Sequence, residues 1–348
     1  MEPLKHLVLT PAMLQLVAEI DGFNGRWQAL GRLAPERLSA LKRIATIESV
    51  ASSTRIEGVK LSDSEVDQFL RTLEIQGFRS RDEQEVAGYA DAMQLVFDAW
   101  PDLALTENHI KQLHGVLLRH VEKDQRHRGH YKQVPNQVTA FDAQGHCVGI
   151  VFATATPFDT PRAMSELVNW VRRALLEKED HALLVIATFV VRFLAIHPFQ
   201  DGNGRLSRIL TTLMLLKADY SYVPYASLER VIEDNKDSYY RTLRQAQQTL
   251  NKTEKHLGVW VVFFLRSLAR QKECLLKRIE REKLTNNLTP LGETLLLLAR
   301  EQGRLSVREA LRLTQAPRST IRVHLKILVE AGHLSVHGKQ RGTWYEPV

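Results

Sequence analysis

Two apolar runs constrain this chain more than anything else in it: ALLVIATFVVRFLAI at 182–196 and LSRILTTLMLLKA at 206–218. A helix that is hydrophobic on nearly every face belongs inside a protein rather than on its surface. Neither this run nor the one at 258–265 is long enough to span a bilayer, and Arg192 interrupts the first. Between the two runs lies HPFQDGNGRLSR, 197–208. It is expected to be a short polar loop held between two core helices, where its groups are fixed in place.

Most of the remaining chain reads as helix, giving a mainly α fold. A helix at 11–21 begins with proline and is expected to end at Gly22–Gly25. Another is expected from Pro35 to Val50, followed by the polar stretch SSTRIEG (52–58), then a helix capped by Ser62 and Glu65 that runs through Leu73. Helices are expected at 85–100 and 106–121, with Thr106 as N-cap. YKQVPNQVTAFDAQGHCVGIVF (131–152) has β-branched and aromatic residues around a D-A-Q-G turn and reads as a hairpin. Pro135 makes its first strand an edge strand, open to pairing with an extended peptide. Helical patterns resume at 161–177, at 227–247 as a helix or helix pair, and at 256–283. LTNNLTP (284–290) is the linker expected before a last module.

That module reads as helices at 291–303, 306–314 and 319–332, then two short strands around a Gly-rich turn: the winged helix-turn-helix order. The whole chain carries a net +7, yet residues 266–348 alone carry 16 Lys+Arg against 8 Asp+Glu, leaving the first 265 residues close to neutral. Arg318, Arg322 and Lys326 recur every four residues on one helix face, and Lys339 and Arg341 fall in the wing. They are candidate DNA contacts, with Ser319 and Thr320 near base edges. The competing reading is a solvated basic face on a module used for protein contact or dimerisation. With two cysteines, Cys147 and Cys274, no disulfide framework or cysteine zinc site is expected; without a signal-peptide pattern, the expected location is cytoplasmic.

Singly, the residues of 197–208 are weak signals, since a histidine at a helix end, a GNG turn and helical arginines all have ordinary structural uses. Together they meet the separate needs of phosphoryl or nucleotidyl transfer. Gly202, Asn203 and Gly204 open a helix, where bare backbone N–H groups and the helix dipole favour an anion. Arg205 and Arg208 can neutralise further phosphate charge. Asp201 offers one carboxylate, which suits Mg²⁺ held mainly by phosphate oxygens and water. His197, with an ordinary pKa near neutrality, can accept a proton from an attacking hydroxyl. A P-loop and the protein-kinase motif set are both missing.

The stretch resembles the Fic family signature H-x-F-x-D/E-G-N-G-R-x-x-R and matches every specified position; the resemblance extends over roughly residues 40 to 250. It implies transfer of AMP from ATP to a Ser, Thr or Tyr hydroxyl of a target protein, or of the protein itself. It makes His197 the base and Asp201 the Mg²⁺ ligand. Gly202, Asn203 and Gly204 line an anion hole, Arg205 meets the β-phosphate and Arg208 the γ-phosphate. Leu206 and Ser207 complete the ATP-binding stretch, with Asn235 and Tyr239 or Tyr240 on the adenine side. The hairpin becomes a flap that aligns the target. Ser53, Glu57 and Gly58 resemble the family's inhibitory S/T-x-x-x-E-G/N motif, in which Glu57 pairs with Arg208. The resulting domain expectation is 1–80 with the inhibitory helix, a core at 81–255, a connecting helix at 256–283 and the winged module at 284–348. Other partners to consider are DNA and a second copy of the chain. Alternative functions are a DNA-binding regulator whose core senses nucleotide, and an enzyme that mainly removes AMP.

Overall fold

The computed structural model describes residues 3–5, 7–29, 35–141, 147–250, 256–285, 289–338 and 343–348, which form two compact units, Met1–Glu273 and Cys274–Val348. The first unit is built from α1 (Pro11–Ala29), α2 (Pro35–Ile56), α3 (Asp63–Gln76), α4 (Arg81–Ala99), α5 (Glu107–Leu117), the strands β1 (Gln137–Phe141) and β2 (Cys147–Ala153), α6 (Thr160–Glu177), α7 (Ala182–Ile196), α8 (Asn203–Lys217), α9 (Leu228–Asp234), α10 (Lys236–Thr249) and most of α11 (Leu257–Thr285). No described helix is long and apolar enough to cross a membrane.

At the centre lie α7 and α8, the two apolar runs. Every side chain from Leu183 to Leu194 is buried, as is every one from Arg205 to Leu216. α11 closes over α7 with Trp260, which is 1% exposed and donates its indole N–H to the Ala187 carbonyl at 2.7 Å. α4 and α5 approach closely at Gly88, where an added Cβ would collide with the Leu117 carbonyl. Only glycine permits that contact.

Two expected boundaries move for a packing reason. α1 continues through Gly22 and Gly25 to Ala29. Met13, Ile20, Phe23 and Trp27 form its buried stripe, with Phe23 edge-on to Tyr222, so tertiary burial outweighs about 1 kcal/mol of helix cost per glycine. α2 runs to Ile56 rather than Val50, because Ser52, Ser53 and Thr54 are buried and Thr54 returns its hydroxyl to the Val50 carbonyl. Residues 197–202 of the polar dozen are loop, and α8 opens at the Gly202-Asn203-Gly204 stretch as expected. The 227–247 segment resolves into a pair, α9 and α10, meeting at Asn235. The Ser62–Glu65 capping box forms as expected.

β1 and β2 pair antiparallel, with register shifts after Val138 and Ala140, and the D-A-Q-G turn lies outside the described residues. Pro135 precedes β1 instead of interrupting it, so it does not restrict that strand's pairing.

The second unit takes in the end of α11, then α12 (Pro290–Gln302), β3 (Leu305–Ser306), α13 (Val307–Thr314), α14 (Arg318–Glu330), β4 (Leu334–His337) and β5 (Trp344–Pro347). Its core is Leu295, Leu296, Ala299, Leu305, Ala310, Ile321, Leu325, Leu328 and Leu334. The two expected strands form, and a short third strand, β3, joins them in the antiparallel order β3-β5-β4. Residues 286–288 of the linker, and Lys339 and Arg341 of the wing, lie outside the described residues.

Candidate active site

His197 ends α7 in the left-handed conformation, φ 52° and ψ 60°, which is uncommon for a residue with a Cβ. Its peptide is held from several sides. Asn136 donates to the carbonyls of His197 (3.4 Å) and Phe199 (2.7 Å). The side chain of Asn203 both accepts from the Phe199 N–H (2.9 Å) and donates to its carbonyl (2.7 Å). That side chain is therefore committed to shaping the loop, and only the Asn203 backbone remains for an anion. The His197 imidazole is largely buried, its Nδ1 has no hydrogen-bond partner among the described residues, and its pKa is lowered to about 4. Burial is the main cause and the Lys132 charge adds to it, while Glu57 and Asp201 pull the other way. At neutral pH the ring is thus an uncharged base.

Gly202 turns the chain into α8 at φ 77°, leaving the helix N-terminus without a side-chain cap. Its free N–H groups and positive dipole end attract an anion. An anion is already present. A Cβ built on Gly204 would collide with Oε1 of Glu57, so that carboxylate lies directly against the backbone at the start of α8. The same Oε1 accepts from Arg208 Nη2 at 2.7 Å.

Arg208 is 4% exposed and spoken for on every side. Nε donates to Ser53 Oγ at 2.8 Å and Nη2 donates to the Ser53 carbonyl at 3.0 Å as well as to Glu57. Burial is the largest influence and opposes its charge, but Glu57, Tyr239 and Tyr89 together outweigh burial, and its pKa lies above the ordinary value. Behind Ser53, the Tyr89 hydroxyl donates to buried Glu229 at 3.0 Å. Ser53 and Glu57 are one helical turn apart at the end of α2, so one face presents both to Arg208. Gly58 turns the chain away at φ 108°. Arg55, pointing elsewhere, pins α2 to α9 through a two-pronged contact with Glu233 at 2.6 and 2.9 Å, and also pairs with Asp63 at 2.9 Å.

Arg205 is 3% exposed and aligned by Glu85, 2.8 Å from Nη1. Arg81 holds the other oxygen of Glu85 at 2.7 Å and lies 3.4 Å from Asp201. Asp201 Oδ1 accepts from the Gly202 N–H at 2.6 Å, and its Oδ2 faces Arg81 and Arg205 with the side chain 41% exposed. Among the described residues no group of three or more His, Cys, Asp or Glu side chains could hold a metal. The single half-open carboxylate fits a cation that arrives with most of its oxygen ligands on a nucleotide. His114 shapes the loop from below. Its Nδ1 accepts from the Gly129 N–H, its Nε2 donates to the Asp201 carbonyl (both 3.0 Å), and its ring stacks on Phe199 at 3.9 Å. Burial lowers its pKa to about 4 as well.

Leu206 and Ser207 are buried in α8, and Ser207 returns its hydroxyl to the Gly204 carbonyl. The adenine-side candidates separate. Tyr239 is 3% exposed and packed against Trp260 and Phe263, with its hydroxyl bonded toward Arg208 and Ser207. Tyr240 is more open, and its phenol is raised in pKa by burial and by Glu57. Asn235 donates to the Val231 carbonyl at the α9–α10 junction. Arg318, Arg322 and Lys326 are exposed on α14 in the second unit. Sequence reasoning passed over Glu85, Tyr89, His114, Lys132 and Asn136. Glu85 and Tyr89, four apart on an otherwise apolar helix face, carried a readable signal as polar groups in a core stripe.

An uncharged imidazole, an uncapped helix N-terminus and two buried arginines thus meet within one helical bundle. Residues 104–215 match the Fic/DOC family. The chain is 31% identical to a probable protein adenylyltransferase of Aquifex aeolicus over 100 residues, 29% of this chain and 28% of that one. To the protein adenylyltransferase Fic of Drosophila willistoni it is 26% identical over 234 residues, 67% of this chain and 43% of that one. It thus spans less than half the length of these relatives. Among solved structures, a Fic family protein from Desulfovibrio desulfuricans shares the fold at TM-score 0.62 and 24% identity, covering 99% of this chain and 98% of that one. A Fic-domain signalling protein from Bacteroides thetaiotaomicron matches at TM-score 0.62 and 25% identity, over 74% and 96%. This chain contains a Fic-family domain.

Proposed function

We propose that the protein transfers AMP from ATP to a protein hydroxyl and that Glu57 holds this activity in check. The observation that carries the reading is the seat of Glu57, a carboxylate lodged against Gly204 and bonded to Arg208 where a phosphate would be drawn. In the open state the N–H groups of α8 and Arg208 bind the outer phosphates, while Glu85 keeps Arg205 aimed at the bridging region. The attacking hydroxyl oxygen forms a bond to the α-phosphorus, the bond to the β-phosphate oxygen breaks, and pyrophosphate leaves. The hydroxyl proton passes to the neutral imidazole of His197. Asp201 would hold Mg²⁺, whose charge would offset that of the phosphates. An extended target segment would pair with the β1–β2 edge, with Asn235 and Tyr240 on the adenine side.

The test is incubation of the Glu57→Gly protein with α-phosphate-labelled ATP and a cell lysate. Label should enter protein, and adding His197→Ala should abolish it while leaving the melting temperature unchanged. Label that persists without His197 would overturn the base assignment. Loss of AMP from pre-labelled protein with wild type but not with Glu57→Gly would instead favour removal of AMP as the main activity.

For the second unit we favour duplex DNA. Arg318 and Arg322 are exposed without an ion pair among the described residues, and Lys326 has only Glu330, at 3.6 Å. With Arg308 and Arg312 exposed on α13, the helix pair offers cations to phosphates on either side of a groove. Fluorescence anisotropy with a labelled duplex should give an affinity that falls with salt. Arg318→Ala with Arg322→Ala should flatten the log–log slope by about 2. No binding at low salt would leave this unit a protein-contact module.

A further inference from the structure

We propose that Lys132 is a positioning residue whose ammonium registers the root of the β1–β2 hairpin against the peptide that carries His197. This rests on the AMP-transfer reading only for its kinetic consequence. Lys132 is 3% exposed, and its Nζ donates to three neutral oxygens: the Ile196 carbonyl (3.0 Å), Asn136 Oδ1 (2.8 Å) and Thr154 Oγ1 (3.0 Å). Its own N–H donates to the Pro198 carbonyl at 2.9 Å. The three side-chain bonds reach three structurally distinct places. Ile196 is the last residue of α7, Asn136 immediately precedes β1, and Thr154 immediately follows β2. Thr154 also donates to the Asn136 carbonyl at 2.7 Å, closing the hairpin's root. Asn136 then extends the clamp to the carbonyls of His197 and Phe199.

A buried ammonium with only neutral acceptors is costly, and burial accordingly lowers its pKa to about 8. The C-terminal end of the α7 dipole offsets part of that cost. What the charge secures is geometry. A left-handed, non-glycine His197 is strained and persists only where its surroundings over-determine it. The same nitrogen fixes the hairpin that would present the target hydroxyl. A proton transfer between target and imidazole requires both to be set within a fraction of an ångström, and one clamp sets both.

The test compares Lys132→Met and Asn136→Ala, singly and together, in the Glu57→Gly background. Lys132→Met should leave ATP affinity by calorimetry within twofold and lower single-turnover label incorporation by about 100-fold. Lys132→Arg, which keeps charge and donors, should recover most of the rate. The double variant should be no worse than the worse single, because both cut one network. Losses that multiply, or ATP affinity falling in parallel with rate, would overturn the proposal. If the Glu57→Gly protein labels nothing, the AMP-transfer reading fails, and the clamp is read by ¹³C-histidine NMR. The His197 resonance, identified by its loss in His197→Ala, should move in Lys132→Met and stay in place in Lys132→Arg. An unmoved resonance in Lys132→Met would refute the clamp.

Discussion

On the proposed reading, Arg208 is a buried cation with two alternative anions to serve, Glu57 and a substrate phosphate. Leaving it unpaired in the interior would be strongly unfavourable, so Glu57 can depart only when another anion takes its place. The contact at Gly204 makes the competition steric as well as electrostatic, because one carboxylate fills the space against the helix backbone. Gly204→Ala should therefore separate two effects. In the wild-type background the methyl group displaces Glu57, yet it also occupies the anion seat. ATP affinity by calorimetry should then stay poor, even when Glu57→Gly is added. ATP binding by Gly204→Ala/Glu57→Gly equal to that of Glu57→Gly alone would show that phosphate does not approach this backbone. The anion-seeking pattern of residues 197–208 was legible from residue types and spacing. The second use of Asn203, as the lock on Phe199, was not, because its partner is set by a loop conformation that no local pattern encodes.

Among the elements, α2 would act on the proposed reading as a removable part with its own fastening. Its tip carries Ser53 and Glu57 into the site, and one turn of that tip is anchored by the Arg55–Glu233 contact onto α9. Arg55→Ala should loosen the seat without touching Arg208. Basal AMP transfer should rise, but by less than in Glu57→Gly, with the melting temperature little changed because the pair is partly solvated. No rise at all would mean that the tip is held by the Arg208 contacts alone. The sequence marked this element with its S-x-x-x-E-G pattern and placed its end too early. Polar residues 52–54 read as a departure from helix, whereas burial of their hydroxyls against Arg208 and their own carbonyls keeps them helical. The through-running of α1 past two glycines has the same origin, a tertiary stripe that local propensity cannot see.

For the whole molecule, two buried histidines of the candidate site set a dependence of stability on acid. His114 and His197 both have folded pKa values of about 4 against an ordinary 6.5. Between those values the unfolded chain takes up protons that the folded protein refuses. Their stabilising contribution is complete above about 6.5 and is lost as pH falls toward 4. Urea unfolding should show a midpoint lower at pH 5 than at pH 7.5, with a loss on the order of 1 kcal/mol per histidine. Substituting His114 with Gln should reduce that pH dependence. A stability independent of pH across this range would contradict the neutral tautomer assigned to His114, whose Nδ1 is occupied by the Gly129 N–H. The sequence announced the buried pair α7 and α8, the hairpin and the basic last module, since each rests on a periodicity or a charge balance. It was silent on His114 and Lys132, because a buried polar residue looks the same in sequence as an exposed one until the fold surrounds it.

On the proposed reading, Glu57 occupies the seat of a substrate phosphate beside Arg208. The most direct measurement is the rate of label transfer from ATP to protein by wild type and by Glu57→Gly, side by side at one ATP concentration. Glu57→Gly should be faster by at least about tenfold, the effect of roughly 1.4 kcal/mol. Equal rates, or a slower Glu57→Gly protein, would contradict it.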